Sequence, residues 1–418
     1  MARLQKVSIE RRSIRKYRSF FNANELKRFN PLRKELNGKR ILHVNATPIG
    51  GGVAEMLQTL IPLQDDIGLK SDWYVIDAPA RFFVITKEIH NGLQGKQFTL
   101  KKSDLDFYRS VNRELGTALS KMNYDIAVIH DPQPMALIGS YHQPPMISRI
   151  HIDLSSPDRK LLKFLYPYLS AYEKTVFSLK AFAPKGLRND QIVVLPPAID
   201  PLNKKNQAFG LQKSRKMLKK LGLNICRPIV SQVSRFDPWK NPLGVVEAYQ
   251  KTKKQIPDVQ LILMGIRRAK DDPEAVKIYK QVEKATKGDP DIHLFHDAKQ
   301  LAPYTNEEVV NAIQVASDII LQLSIREGFG LTVTEAMWKG SVVIGGPAAG
   351  IRSQITDQKD GFIASTPSVA AKDMVRILKH PKSEAKIGKA AQKTVRSKHL
   401  ITHQLLAHLE LYKDALTG

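Results

Sequence analysis

Two glutamates, Glu327 and Glu335, stand eight positions apart in the stretch SIREGFGLTVTEAMWKG, residues 324–340. An ionised carboxylate accepts several hydrogen bonds at once, which suits the paired hydroxyls of a hexose or a ribose. Gly328, Phe329 and Gly330 lie between them, followed by Leu331 and Thr332. The run from Leu331 reads as a helix closed by Gly340. Glu327 then falls in the loop before the helix and Glu335 one turn inside it. The first N–H groups of such a helix, on Gly330, Leu331 and Thr332, have no intrahelical partner and are open to an anion. A second loop, SRFDPWKNP, carries Arg235 and Lys240 five positions apart. A planar guanidinium and a compact ammonium at one strand end can neutralise a pyrophosphate. Plainer roles stay open: the glutamates as helix-capping acids, the cations as solvated surface groups.

The first half of the chain offers weaker signals. NATPIGGGVAEML sets Gly50, Gly51 and Gly52 between a strand end and a helix start. Glycine lets backbone approach a ligand closely, and the helix N-terminus faces anions with bare N–H groups. The spacing is not G-x-G-x-x-G, so the dinucleotide fingerprint is missing and a tight turn is the alternative. His151, at the end of MISRIHI, is a candidate contact or a structural histidine.

These loops need a scaffold that holds them at strand ends. Short apolar runs at 40–47, 71–77, 125–131, 146–152 and 192–200 read as strands, with helical patterns such as VAEMLQTLIPLQDDIG between them. A second series follows at 228–237, 259–266, 291–297, 318–324, 341–346 and 361–365, with a helix over 241–255. Alternation of strand and helix predicts parallel sheets covered on both faces. PLNKKNQAFG, residues 201–210, looks like a linker. The expected organisation is α/β: two doubly wound Rossmann-like domains, 1–205 and 206–399, facing a central cleft, with the amphipathic segment 400–418 crossing back to the first. Residues 12–40 read as a basic, partly helical arm packed on a domain.

Lys and Arg total 65 against 40 Asp and Glu, a net charge of +25. The basic residues are spread along the chain, and no zinc spacing, helix-turn-helix or RNA-binding aromatic pattern accompanies them, so nucleic acid is not the expected partner. The balance suits a substrate that carries phosphates. No apolar run spans a bilayer, so no membrane is expected. The single cysteine, Cys226, cannot form an internal disulfide and fits a cytoplasmic protein.

SRFDPWK with REGFGLTVTEAMWKG resembles the E-x7-E element of retaining glycosyltransferases with the GT-B fold. HVNATPIGGGVAEML, HDPQP (130–134), HIDLSSP (151–157) and PPAIDPLNKKN (196–206) narrow the likeness to the trehalose glycosyltransferring synthases, from about residue 40 onward. That resemblance implies a reversible transfer of glucose from ADP-, UDP- or GDP-glucose to free glucose, giving trehalose with retained α configuration. It implies that Arg235 and Lys240 hold the diphosphate, that Glu327 grips the donor glucose and that Glu335 meets the ribose hydroxyls. Gly328 and Phe329 complete the donor loop, and Gly330, Leu331 and Thr332 offer N–H groups to the phosphate. Gly51 and Gly52 approach the donor, His151 sits beside the transferred sugar, and Asp131, Gln133 and Asp153 are candidates for acceptor hydroxyls. The resemblance implies no tightly bound cofactor or metal, with Mg2+ at most a stimulator; a homodimer is a separate expectation. The charged stretch 266–300 is expected to border the base pocket. Rival expectations are a trehalose phosphorylase, another nucleotide-sugar transferase, and a retaining glycoside hydrolase using the two glutamates as its carboxylate pair.

Overall fold

The computed structural model describes residues 2–141, 143, 145–207, 209–266 and 273–417 of the 418-residue chain. They fall into two compact units, Met1–Ala198 with Ile401–Gly418, and Ile199–Leu400.

The first unit is built on a seven-stranded sheet. Its strands are β1 (Arg3–Lys6), β2 (Arg40–Asn45), β3 (Lys70–Asp77), β4 (Ile126–His130), β5 (Met146–Ile150), β6 (Lys174–Phe177) and β7 (Ile192–Val194). They lie in the order β1-β3-β2-β4-β5-β6-β7, and every pair is parallel except β1 on β3. β4 and β5 are buried along their whole length, as a parallel sheet covered on both faces requires. Helix Ile401–Thr417 returns to this unit and packs on helices Ala23–Glu35 and Gly52–Asp66. The basic stretch at 12–40 is ordered: a short 3-10 turn over Ile14–Phe20 precedes helix Ala23–Glu35, which starts in a capping box between Asn22 and Glu25.

The second unit carries six parallel strands. They are β8 (Ile229–Val233), β9 (Gln260–Met264), β10 (Ile292–Phe295), β11 (Ile319–Gln322), β12 (Val343–Gly345) and β13 (Phe362–Ile363). Their order is β10-β9-β8-β11-β12-β13. One face packs around Val230, Leu261, Leu263, Leu321 and Ile344, the other around Ile229, Ile262, Met264 and Ile313.

Three features depart from expectation. β1 is short, polar and mostly exposed, so it carries no apolar signal. β6 has only four residues, just after a helix. The stretch from 201, expected to be a linker, is tightly folded within the second unit. Asn206 is buried, its side-chain amide donating to the Asp200 carbonyl at 3.1 Å, while its own carbonyl accepts from the Trp338 indole at 3.0 Å. The boundary accordingly lies at Ile199 rather than after 205.

Candidate active site

Each sheet reverses its direction of winding once. In the first unit the chain adds β3 on one side of β2 and then places β4 on the other. In the second it adds β9 and β10 on one side of β8 and then places β11 on the other. Loops leaving the carboxyl ends of two such strands diverge and open a crevice, which is where open parallel sheets bind ligands. The loops concerned are those after β2 and β4, and those after β8 and β11.

In the second unit these loops carry the cations and Glu327. Asp237 caps the single turn Pro238–Lys240 by accepting from the Trp239 N–H at 2.9 Å, and Asn241, left-handed at φ 53°, ends it. The Gln232 amide, near the end of β8, donates to the Lys240 carbonyl at 2.9 Å. The Ile325 N–H donates to the Trp239 carbonyl at 2.8 Å, which ties the two loops together. The Lys240 ammonium thereby meets the Glu327 carboxylate in a largely buried ion pair. Arg235 shares the loop but turns to Asp237 at 3.2 Å, with 62% of its side chain exposed.

The Glu327–Gly330 segment is held from beneath. Gly330 is left-handed at φ 93°, a conformation that disfavours a side chain. A Cβ on Gly350 would lie 2.5 Å from the Glu327 carbonyl and 2.7 Å from the Phe329 nitrogen, so only glycine lets helix Ala349–Arg352 rest against the loop. Buried Gln354 donates to the carbonyls of Phe329 at 2.5 Å and Gly350 at 3.1 Å, and its oxygen accepts from the Thr334 hydroxyl at 2.6 Å. Helix Leu331–Trp338 begins at Gly330, which has no side chain to cap it, and Leu331 and Thr332 form its first turn.

Glu335 faces a different environment. It is 2% exposed, and one oxygen pairs with Lys205 at 2.7 Å. Its other oxygen is buried with no hydrogen-bond partner among the described residues. Burial pushes the neighbouring Lys339 ammonium down to about 7; Glu335 favours its charge and Lys205 opposes it. Lys339 donates to Gln314 at 2.8 Å and to Asn206 at 3.2 Å. Of the charged stretch 266–300, residues 267–272 lie outside the described residues, and helix Pro273–Thr286 follows them.

In the first unit Gly50 and Gly51 are both left-handed, at φ 81° and 87°, and Gly52 begins helix Gly52–Asp66. No heavy atom lies within 4 Å of a Cβ built on Gly51, so conformation and not crowding calls for glycine there. After β4, Asp131 is itself left-handed at φ 63° and accepts from the His151 N–H at 2.8 Å. Burial pushes its carboxyl up to about 7, against that hydrogen bond and the charge of Arg149. Asp153 accepts from the Ser155 N–H at 2.8 Å. The side-chain oxygen of Gln133 is buried without a hydrogen-bond partner among the described residues.

His151 is not isolated. Its Nε2 lies 3.0 Å from Nδ1 of His130, whose Nε2 lies 3.0 Å from Nδ1 of His43. His43 and His130 escaped the sequence reading, as did Gln354 and Lys205. The available signal was chemical: a histidine in each of the three strand segments RILHVN, IAVIH and MISRIHI. Among the described residues no group of His, Cys, Asp or Glu is arranged to hold a metal ion, and no helix is long and apolar enough to cross a membrane.

Two doubly wound sheets, with basic and acidic side chains in the loops at the switch points, are the architecture of the GT-B fold. A solved α,α-trehalose 6-phosphate synthase from Burkholderia multivorans superposes with a TM-score of 0.71 over 91% of this chain and 98% of its own, at 16% identity. Residues 43–184 match the family described as "Trehalose synthase, N-terminal domain", and residues 213–394 match "Glycosyl transferases group 1". The chain is 39% identical to a trehalose synthase of Pyrococcus horikoshii over 100% of its own length and 99% of that protein's. A trehalose phosphorylase of Pleurotus pulmonarius is 29% identical over 84% of this chain but 54% of its own. The chain belongs to the trehalose synthase family.

Proposed function

We propose that the protein transfers glucose from a nucleoside diphosphate glucose to free glucose, reversibly, forming α,α-trehalose with the donor's configuration retained. The observation that carries this reading is the Lys240–Glu327 pair at the switch point of the second sheet, with Arg235 on the same loop.

Departure of the diphosphate leaves a cation-like sugar and a leaving group on which negative charge grows. Fixed positive charge aimed at that group lowers the barrier. Lys240 is pre-placed by the capped turn, and Arg235 is exposed and free to swing from Asp237 to a phosphate oxygen. Their charge takes the part a metal would play. The uncapped start of helix Leu331–Trp338 adds N–H donors for the same phosphates. Glu327, shared with Lys240, turns its remaining acceptor capacity to the donor glucose. The unpartnered Glu335 oxygen is the ribose contact, because a buried carboxylate oxygen without a donor gains most from a hydroxyl. Gly51 lets the loop after β2 approach the sugar, and His151, Asp131, Gln133 and Asp153 meet hydroxyls of donor and acceptor. A single free thiol, Cys226, suits a cytoplasmic enzyme.

The phosphorylase reading is the weaker one, because the chain spans about half the length of that relative. The hydrolase reading requires the two glutamates to act on one bond, yet each is engaged by its own lysine. Incubation of the protein with trehalose and each nucleoside diphosphate tests the proposal. Release of free glucose together with a sugar nucleotide is expected; release with inorganic phosphate alone, or with water alone, would replace this reading by one of its rivals.

A further inference from the structure

The transfer as proposed uses His151 but gives no role to the two buried histidines lined up with it, His43 and His130. His43 on β2, His130 on β4 and His151 just past β5 come from three neighbouring strands. Their rings stack in sequence, with centroids 5.3 and 5.4 Å apart. The two N···N distances of 3.0 Å are hydrogen bonds, and each needs one N–H and one lone pair. Burial holds His43 down to about 4 and the other two well below the ordinary imidazole range. The charged and titratable groups around them act in the same direction: Arg149 from β5 disfavours charge on all three, and His408 from the last helix disfavours it on His130 and His151. Asp131, itself pushed up toward neutral by burial, is held through the His151 backbone. The rings are therefore neutral, and each has one proton to place.

The far end of the chain decides where those protons go. Gln64 donates from its nitrogen to the Tyr412 hydroxyl at 2.8 Å and points its oxygen at His43 Nε2, 3.3 Å away. The Tyr412 oxygen is also 3.3 Å from that nitrogen. The Gln64 oxygen can only accept, so His43 Nε2 carries its proton, which leaves Nδ1 as a lone pair. That lone pair requires N–H at His130 Nε2, and so a lone pair at His130 Nδ1. His151 must then carry its proton on Nε2. We propose that His43 and His130 are positioning residues that fix His151 as the Nε2–H tautomer, so that its Nδ1 accepts a hydrogen bond from a sugar hydroxyl beyond the end of β5. The last clause rests on the proposed function; the tautomer chain does not.

Ring-nitrogen NMR of the full-length protein labelled with 15N-histidine reads the chain directly. Expected are three neutral rings protonated on Nε2, with couplings across both N–H···N bonds. A proton on Nδ1 of any of the three, a charged ring at neutral pH, or absent couplings would overturn the proposal. Two variants separate positioning from bulk. His130→Gln keeps a carbonyl acceptor for His151 and an N–H donor for His43, whereas His130→Leu keeps neither. His130→Leu is expected to lose about tenfold in kcat/KM for glucose, the scale of one hydrogen bond, with nucleotide affinity unchanged, and His130→Gln to recover most of it. Equal loss in both variants, or none in His130→Leu, would refute it. If the unaltered protein forms no trehalose, the proposed function fails while the spectra still decide the tautomer chain.

Discussion

The two units solve different electrostatic problems at the same topological position. At the switch point of the second sheet, formal charges are kept and paired: Lys240 with Glu327, Arg235 with Asp237, Lys205 with Glu335. At the switch point of the first, charge is suppressed: three imidazoles are held neutral and the Asp131 carboxyl is pushed up to about 7. A diphosphate brings charge and rewards preformed cations, which its arrival can draw away from their carboxylates. A glucose hydroxyl brings none and rewards donors and acceptors in fixed places. The contrast teaches that one winding rule supplies two crevices of opposite electrostatic character, and under the proposed function the charged one takes the diphosphate and the neutral one the sugar.

Breaking the charged side should cost most. Lys240→Ala is expected to lower kcat by roughly 10²–10³, about 3–4 kcal/mol of transition-state stabilisation, in a steady-state assay of either direction. A loss below tenfold would remove charge stabilisation from that loop. Glu335→Ala removes the carboxylate that pairs with Lys205 and should lower the free energy of unfolding by roughly 3 kcal/mol in urea, the low end for a broken buried pair. Unchanged stability would mean that Lys205 finds water. Arg235→Ala should weaken nucleoside diphosphate binding by about 10- to 100-fold in a calorimetric titration, the scale of a charge-assisted hydrogen bond, with the fold intact. Equal affinity would show that the guanidinium stays with Asp237.

The smallest expected effect lies on the neutral side and depends on pH. The folded Asp131 carboxyl is raised to about 7, above its unfolded value near 4. Across that window the folded state binds more protons than the unfolded one, so its contribution is full below about pH 4 and lost as pH rises through 7. Asp131→Asn keeps an acceptor for the His151 N–H, suits the left-handed backbone and never ionises. Its melting temperature relative to the unaltered protein should therefore rise by a few degrees between pH 5 and pH 8. A gap that stays constant with pH would place the titration elsewhere.

Much of this was legible in the residues. Strand and helix alternation gave both sheets, because strands buried on two faces are continuous apolar runs and stand out. The REGFG loop and the two cations were visible as groups too polar and too glycine-rich for a core. What stayed hidden depends on distance in sequence. Lys240 meets Glu327 across 87 positions, and His43 meets His130 across the same separation. Only strand order makes them neighbours, and no local pattern encodes it. β1 was invisible because an exposed edge strand need not be apolar. The stretch from 201 misled for a related reason: lysines and asparagines read as solvent-facing, yet Lys205 and Asn206 are wanted inside for what they neutralise and bind.

Helix Ile401–Thr417 supplies Leu405, Leu409 and Tyr412, all fully buried, to the first unit. It is fastened there by Arg28–Glu410, by His403–Glu25 at 2.8 Å and by Lys413–Glu35 at 2.8 Å. A ribosome makes it only after both sheets. The amino-terminal half must therefore wait through the synthesis of some two hundred intervening residues before its interior can close and Tyr412 can reach Gln64. The second unit, being continuous, can finish first, which inverts the usual order of assembly along a nascent chain.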